Sequence, residues 1–590
     1  MRKIVEKSML GRAWVLAHTD ENFGTTGDLV EKILARRGIT DPVDIEHFLH
    51  PSISSELTMH DSDAAQADLA DIDVAARIIA DSVIAGDKIA IYGDYDVDGI
   101  TSTAILVKYL RALGVNVVWH LPTREGEGYG LNTRAVSDIA AGGARLLITV
   151  DCGISGVAEV AFAKNLGLRV VVTDHHSPDA VLPAADAVVN PKRVDDTSGW
   201  SYLAGVGVAF LVLRAVHREL SARADGDLRV RLDNINLLNY MDLVALGTVC
   251  DTMPLIGLNR AFVATGLKVM GLRQNLGLRV LMDVAGIKKP SVYAAGFAVG
   301  PRLNAAGRLN SAAPALELLL TDNPLIAHDL AERLHAMNQE RIDIQNAIMM
   351  QANDMAASAC SAGRCSLFIC ADGWHGGVMG IIAGRLKDKY NLPACVATKA
   401  DGVINGSGRS IAGVDLGRII HDALAAGVIS EGGGHAAAAG FTLPVEKENE
   451  FRDFLERAVS SQLNGQKPER QEIVDAELDA GGANMGLVRR LVALEPFGQG
   501  NPEPTLVLHG AVLRGASVIG SGAHLRGTVA TSAGTSLAFV GFNLVGTPVG
   551  DFLLDDGNTN TKIALLGKLK ENEFNGRVSA QFVLEDVAVL

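Results

Sequence analysis

The sequence predicts an α/β protein of several domains: a parallel sheet clothed in helices, a long helical connector leading to a smaller α/β unit, and a terminal β-barrel. Three observations carry this reading. Apolar runs that end in acid alternate with helical stretches between residues 88 and 176. Helical periodicity then continues to about 358 and gives way to a second α/β pattern. Past a polar stretch at 462–471, short strands separated by glycine turns fill the remainder. Alternating strands and helices build parallel sheets, and clustered short strands close into barrels. At 590 residues the chain exceeds what one hydrophobic core serves, so about three to four domains are expected.

Taken in order, residues 1–71 read as short helices around "ILARRGITDPVDIEHFLHPS", without evident chemistry. The first α/β unit is placed at 72–285. Its strands are "KIAIYGDYD" (88–96), "RLLITVDCG" (145–153) and "LRVVVTDHH" (168–176), with helices at 101–114 and 155–167. In such sheets ligands bind beyond the carboxyl ends of the strands, so the three acidic tips point to one place. Residues 286–360 form the helical connector, with "ERLHAMNQERIDIQNAIMMQANDMAA" its strongest pattern. The second α/β unit occupies 361–460 and contains "SLFICADGWHGGVMGIIAGRL", "NGSGRSI" and "EGGGHAAAAG". The barrel is placed at 472–590, on "TLVLHGAVLR", "HLRGTVAT", "SLAFVGFN", "KIALLGKLK" and "VSAQFVLEDVAVL".

Composition narrows the class. With 48% apolar and 21% charged residues the chain is an ordinary folded protein. A formal charge of −15 argues against coating nucleic acid by bulk electrostatics, though a local basic groove remains compatible. The six cysteines show no zinc-ribbon spacing and read as buried thiols in a reducing cytoplasm. "MRKIVEKSML" has charges where a signal peptide needs an apolar core. The uncharged run 527–550 is too rich in Gly, Ser and Thr to span a membrane.

The chemistry lies in the tips. Asp94, Asp96 and Asp98 alternate in "GDYDVDG", a spacing that on a strand puts three carboxylates on one face. Asp151 stands at the next tip, Asp174, His175 and His176 at the third, and Asp251 follows "LVALGTVC". Aspartate at a strand-to-helix turn also caps the next helix, a reading open for any one of them. Converging carboxylates and imidazoles call for divalent cations, with manganese, iron or zinc suited to the mixed donor set. Two ions sharing a carboxylate are the usual device for hydrolysing a phosphate ester.

These motifs resemble a known family. "YGDYDVDGITS", "VDCGIS", "TDHH" and "GTVCDTMPL" are similar to the ordered motifs of the DHH phosphoesterases. "WHGGVMGIIAGRL", "NGSGRSI" and "GGGHAAAAG" resemble their companion DHHA1 domain. "RGITDPVDIEHFLHPS", "LAGVGVAF", "GPRLNAAGRLNSA" and "EPFGQGNPEP" narrow the resemblance to the RecJ family of single-strand-specific 5′→3′ DNA exonucleases, over nearly the whole chain. The resemblance implies two Mn2+ or Mg2+ ions. Asp96 and Asp151 would hold one; Asp98, Asp151, His175 and Asp251 the other, with Asp151 bridging. His176 would face the scissile phosphate. Small pyrophosphatases of the superfamily carry histidine where this chain has Tyr92, which leaves the first ion fewer donors and the role of Asp94 open. Arg124, Arg308, Ser407 and Arg409 would hold a 5′-terminal phosphate, and His435 the DNA backbone. Single-strand-binding protein and a RecQ-type helicase are the partners the resemblance suggests.

Two regions are read from the residues themselves. "EGGGHAAAAG" sets glycines before an Ala-rich run, an anion cradle if that run is a helix and a tight turn otherwise. "SGR" at 407–409 reads as a glycine-flanked loop. His375 would line the same cleft or cover the core. Residues 505–550 hold no Asp or Glu but carry Arg514, Arg526, His509 and His524, so an OB-type barrel would present a basic single-strand groove. Phe539 and Phe542 would point to opposite strand faces. The expected activity is a two-metal exonuclease acting on single-stranded DNA from its 5′ end. The rivals are a phosphodiesterase of short oligonucleotides or cyclic dinucleotides, which needs no distal barrel, and a replication-fork scaffold, which needs no metal ligands.

Overall fold

The computed structural model describes residues 2–16, 29–62, 68–123, 126–128, 130–466, 469–531 and 534–590. The catalytic sheet has five strands in the order Val117–His120, Ile89–Tyr92, Leu146–Val150, Arg169–Thr173, Ala187–Val189, and every neighbouring pair is parallel. Alternate side chains enter separate cores. Ile89, Ile91, Ile148 and Val171 pack on one face, while Ala90, Tyr92, Leu147 and Val172 pack on the other. Both faces are buried, which is why these strands read as unbroken apolar runs.

Helix Val97–Ala112 starts directly after the first acidic tip because Asp96 accepts from the Asp98 and Gly99 amides. A Cβ on Gly99 would lie 2.5 Å from the Asp94 carbonyl oxygen, so only glycine permits this tight strand-to-helix turn. Helix Gly205–Arg223 packs beside Val97–Ala112, and helix Met241–Cys250 packs against both. The 38-residue helix Pro324–Ser361 is the connector.

The second sheet runs Glu431–His435, Ala438–Pro444, Val403–Arg409, Ala394–Ala400, Leu367–Asp372. Here two expectations fail. "GGGHAAAAG" is a β-hairpin, not a glycine loop before a helix: Glu431–His435 pairs antiparallel with the alanine strand Ala438–Pro444. That strand pairs along its whole length with Val403–Arg409. Ladder hydrogen bonds on both sides outweigh the helical propensity of alanine. For the same reason "NGSGR" is a central strand rather than a loop.

The terminal barrel closes: Leu506–Ile519 pairs with both His524–Ala530 and Lys562–Phe574, and the circle continues through Ser536–Gly541 and Arg577–Val589. The N-terminal segment is not purely helical. Strands Arg2–Val5 and Ala13–Leu16 pair with each other, and Ala13–Leu16 pairs in parallel with Gln471–Val474. Buried Trp14 donates from Nε1 to Asp586 Oδ2 at 3.4 Å. No helix among the described residues is long and apolar enough to cross a membrane, and all six cysteines are free thiols.

Candidate metal centre and substrate cleft

Asp94, Asp96 and Asp98 converge, though not by strand alternation. Their strand ends at Tyr92, and the chain turns into a helix between them. Asp96 takes the capping role, with Oδ1 at 2.9 Å from the Asp98 amide and 3.1 Å from that of Gly99. Asp98 is buried in the first helical turn. Its two oxygens accept from the Gly205 and Val206 amides at 2.7 and 2.9 Å. The start of a second helix, with its positive dipole end, therefore fixes this carboxylate. The first glycine of "GVGVAF" is explained by Asp151: a Cβ on Gly205 would lie 2.6 Å from Asp151 Oδ1. Asp151 follows strand Leu146–Val150 with φ of 59°, a strained backbone for a non-glycine residue.

At the third tip the two histidines are sorted by their second nitrogens. His175 Nδ1 donates to the Leu203 carbonyl at 3.0 Å. Its Nε2 lone pair then faces Asp151 Oδ1 at 3.2 Å, Asp251 Oδ2 at 3.5 Å and Asp98 Oδ2 at 3.9 Å. His176 Nδ1 donates to Asp174 Oδ1 at 2.8 Å, and its ring is 40% exposed. Asp174, fully buried, also accepts from the amides of Ile154, His175 and His176. Asp174 thus orients His176, a role that sequence reasoning missed. Four donors aimed at one carboxylate come from tertiary contacts that "TDHH" does not disclose.

Three sets of donor atoms lie within 4.8 Å of one another: Asp94, Asp96 and Asp151; Asp98, His175 and Asp251; and Asp151, His175 and His176. Asp151 belongs to two of them. Tyr92 stands apart, its hydroxyl donating to the Gly130 carbonyl and accepting from Asn132. Burial, then the charges of Asp98 and Asp96, pushes Asp151 well above the usual carboxylate range. Burial and the same two neighbours push Asp251 up to about 9; burial and Asp96 push Asp98 up to about 7. Burial and His176 push His175 down to about 3. Burial opposes ionisation of Asp174, but the hydrogen bond and charge of His176 outweigh it and hold Asp174 low. Burial likewise disfavours the His176 cation, and Asp174 reverses this and raises it.

The donor set fits divalent cations. Asp151 Oδ1, Asp251 Oδ2 and His175 Nε2 are buried without a hydrogen-bond partner. Each is an acceptor facing other acceptors, an arrangement that only positive charge relieves.

On the substrate side, Arg124 lies outside the described residues. Ser407 and Arg409, two apart on a strand, share a face, and Arg409 Nη1 donates to Ser407 Oγ at 3.1 Å. Gly380, in helix Met379–Tyr390, leaves them room: a Cβ there would lie 2.9 Å from Arg409 Nη2. Register aligns Arg409 with Ala438 and Ala438 with His435. Arg409 and the exposed His435 thus stand on one face, about 10 Å apart by strand spacing. Ala438 lies between them, and the next row on that face, Ser407, Gly440, Gly433, has no side chain beyond the serine, a floor that a phosphate backbone can approach closely. Arg308 Nη1 donates to the Gly377 carbonyl at 2.9 Å. His375 caps the turn at Gly376–Val378 through Nδ1.

On the barrel, His509 is not an unopposed base, since it pairs with Glu477 at 3.0 Å. Arg514 is bonded to Asn560. Arg526 lines an open groove of about 450 Å³ with Gly515, Ser517, Thr528, Ala538 and Gln581. Phe539 is buried and Phe542 is 55% exposed, because the strand ends at Gly541.

Comparison with known proteins agrees with this architecture. The DHH family N-terminal domain model matches residues 88–248, the DHHA1 domain model 363–461 and the RecJ OB domain model 474–586. The single-stranded-DNA-specific exonuclease RecJ of Dickeya dadantii is 38% identical over 84% of this chain and 87% of its own. That of Escherichia coli is 36% identical over 85% and 87%. The crystal structure of RecJ from Thermus thermophilus in complex with Mn2+ superposes with a TM-score of 0.77 at 30% identity, covering 95% of this chain and 76% of that one. In fold, in the motifs that build the cleft and in sequence identity over most of its length, the chain belongs to the RecJ family.

Proposed function

We propose that this chain is a metal-dependent exonuclease that removes nucleotides from single-stranded DNA, starting at the 5′ end, in recombination and repair. The observation that carries it is the set of buried acceptors without donors at Asp151, His175 and Asp251, in a chain whose relatives are named single-stranded-DNA-specific exonucleases. Two Mn2+ or Mg2+ ions are proposed. Asp96 and Asp151, with Asp94 beside them, would hold one; Asp98, Asp151, His175 and Asp251 the other. Bound there, divalent ions would supply a nucleophilic hydroxide at neutral pH and offset charge on phosphorus.

The chain's own residues do the rest. Asp98, pinned by two amides, and His175, pinned by the Leu203 carbonyl, cannot turn away from the cluster. Asp174 favours the protonated His176 ring and holds it by Nδ1. His176 Nε2 is then a proton donor for the departing 3′-oxygen of the released nucleotide. Direction requires recognition of one chain end. Arg124, Arg308, Ser407 and Arg409 would bind the terminal phosphate, whose extra charge suits guanidinium groups, and His435 would touch the backbone across the glycine floor. The barrel groove would take the strand farther along. Single-strand-binding protein, a RecQ-type helicase and a cytoplasmic setting belong to this proposal on the family resemblance.

The test is digestion of a long, 5′-labelled single strand with Mn2+, beside the matching duplex and a dinucleotide. Rapid release of labelled mononucleotide from the single strand alone is the expected result. Preference for the dinucleotide, or no turnover on any substrate, overturns the proposal.

A further inference from the structure

Lys192 follows the last strand of the catalytic sheet, Ala187–Val189, which pairs in parallel with Arg169–Thr173. It therefore stands at the carboxyl edge of the sheet, beside the tip that carries His175 and His176. Asn190 fixes it there. That residue is fully buried; its Nδ2 donates to the His176 carbonyl at 2.9 Å, and its Oδ1 accepts from the Lys192 amide at 2.7 Å. One side chain thus ties the turn of Lys192 to the backbone of a histidine at the metal cluster.

Lys192 is half-buried, and its ammonium makes no hydrogen bond or ion pair among the described residues. The carboxylates whose charge reaches it are Asp251, then Asp174. Its own charge reaches His175 and Asp251 in return. Burial lowers its affinity for a proton, and the two carboxylates restore part of it. A flexible lysine finds surface acids easily, and at a net charge of −15 they are plentiful. This one instead holds its charge beside the cluster and stops short of ion-pair distance from it. The gap is room for another anion.

We propose that Lys192 is a further catalytic residue, whose ammonium contacts a non-bridging oxygen of the scissile phosphate. The proposal rests on the exonuclease reading and deepens it. That reading places the phosphate over Asp98, His175 and Asp251, with His176 on the leaving-group side; Lys192 flanks the same place from the neighbouring strand tip. In the step, a hydroxide oxygen bonds to phosphorus, the bond to the departing 3′-oxygen breaks, and that oxygen takes the proton of His176 Nε2. Lys192 gives up no proton. It offsets the charge on the non-bridging oxygens as the attacking oxygen closes in, where a fixed cation in a half-buried site acts most strongly. A compact ammonium with three donors suits a crowded reacting centre better than a planar guanidinium.

The test uses the full-length, Mn2+-loaded enzyme in excess over a 5′-phosphorylated single strand. Release of the first nucleotide in a single turnover gives two readings. The rate at saturating enzyme reports the reacting complex, and the enzyme concentration that gives half that rate reports binding of the strand. Lys192→Gln should lower the saturating rate by about ten- to a hundredfold, the scale of a charge-assisted contact, and move the half-saturating concentration by less than about threefold. Lys192→Arg, which restores the charge, should recover most of the rate. Mn2+ affinity, read by calorimetric titration without DNA, should not weaken in either variant, because a cation and not a ligand is altered. A saturating rate in Lys192→Gln within about threefold of native overturns the proposal. A raised half-saturating concentration with the rate intact also overturns it, making Lys192 a grip on the strand. Weakened Mn2+ binding overturns it too, making Lys192 a support of the cluster, as does a Lys192→Arg variant no faster than Lys192→Gln. Should the glutamine variant fail to fold, Lys192→Met carries the same comparison. Failure of the native enzyme to release a nucleotide would instead fall on the exonuclease reading.

Discussion

Arg260 and Asp151 are each 1% exposed, and both bring an ionisable group into the interior, but their surroundings follow opposite rules. Arg260 is surrounded by acceptors. It donates to the carbonyls of Phe48, Leu494, Glu495 and Pro496 at 2.7–3.2 Å and lies 3.8 Å over the Phe48 ring. Asn501 ties the same carbonyls of Leu494 and Pro496, and the Leu255 amide donates to the Gln499 carbonyl at 2.8 Å. This knot anchors "EPFGQGNPEP" to the segment that follows Asp251. Asp151, by contrast, sits among other acceptors with one oxygen unmatched. Burial alone does not separate the two cases. A buried charge with its valences filled holds elements together; one with valences open is a binding site.

Substitutions at either end put the contrast at risk. The largest effect is expected at Asp151→Asn, where hydrolysis should fall by several orders of magnitude. Removing one of several crowded carboxylates relieves repulsion, so Tm in chelator should not fall. A variant that keeps more than a few per cent of native turnover, or that unfolds, would put Asp151 in the same class as Arg260. The converse case is Arg260→Met, which takes a donor from four carbonyls, two of which keep Asn501, and should cost about 2–5 kcal/mol of stability, read from a denaturant midpoint. A midpoint shift smaller than about 1 kcal/mol would mean the knot is decorative.

Arg409 falls between the two extremes. Its guanidinium is partly matched, by Ser407 Oγ and the Gly408 carbonyl, and burial lowers its affinity for a proton. Arg409→Ala should remove most of the preference for 5′-phosphate over 5′-hydroxyl strands, about one to two decades. Equal loss on both strands would assign it to the fold. The smallest effect belongs to the exposed end of the scale. Arg526→Ala, on the barrel groove, should reduce the salt slope of long single-strand binding by about 0.7 and leave stability unchanged. An unaltered slope would move the strand off that face.

The sequence disclosed what local pattern encodes. A buried parallel strand must be apolar along its length, so the polar residues just past its end stand out, as Asp94, Asp151, Asp174 and His175 do, whereas Asp251 closes the helix Met241–Cys250 and stands out only against the apolar run before it. The five barrel strands were legible too, each bounded by glycine turns. What long-range contact decides was not legible. Arg260 looks like any helical arginine until its neighbours are known. Asp174 looks like a ligand as readily as an orienting group. The strand Ala438–Pro444 read as helix because its partner in the sheet, not its alanines, fixes its shape. Residues 462–471 read only as a polar stretch leading to the barrel. In fact Gln471–Val474 pairs with Ala13–Leu16, and residues 494–496 are knotted to Arg260, so cutting at 472 would undo two attachments.

That pairing between Ala13–Leu16 and Gln471–Val474 also sets a schedule. On the ribosome the earlier strand emerges 455 residues before its partner, counted from Leu16 to Gln471. At about 5–20 residues per second it waits for roughly 25–90 s, carrying Trp14 and a bare edge of backbone donors and acceptors. The catalytic sheet can form in that interval from consecutive strand–helix units. The strand itself can be satisfied only once Gln471–Val474 has emerged. Nascent chains of this protein should therefore pass through a long period with a folded catalytic lobe and an unprotected leading strand, the segment on which a holdase would act or an early aggregate begin.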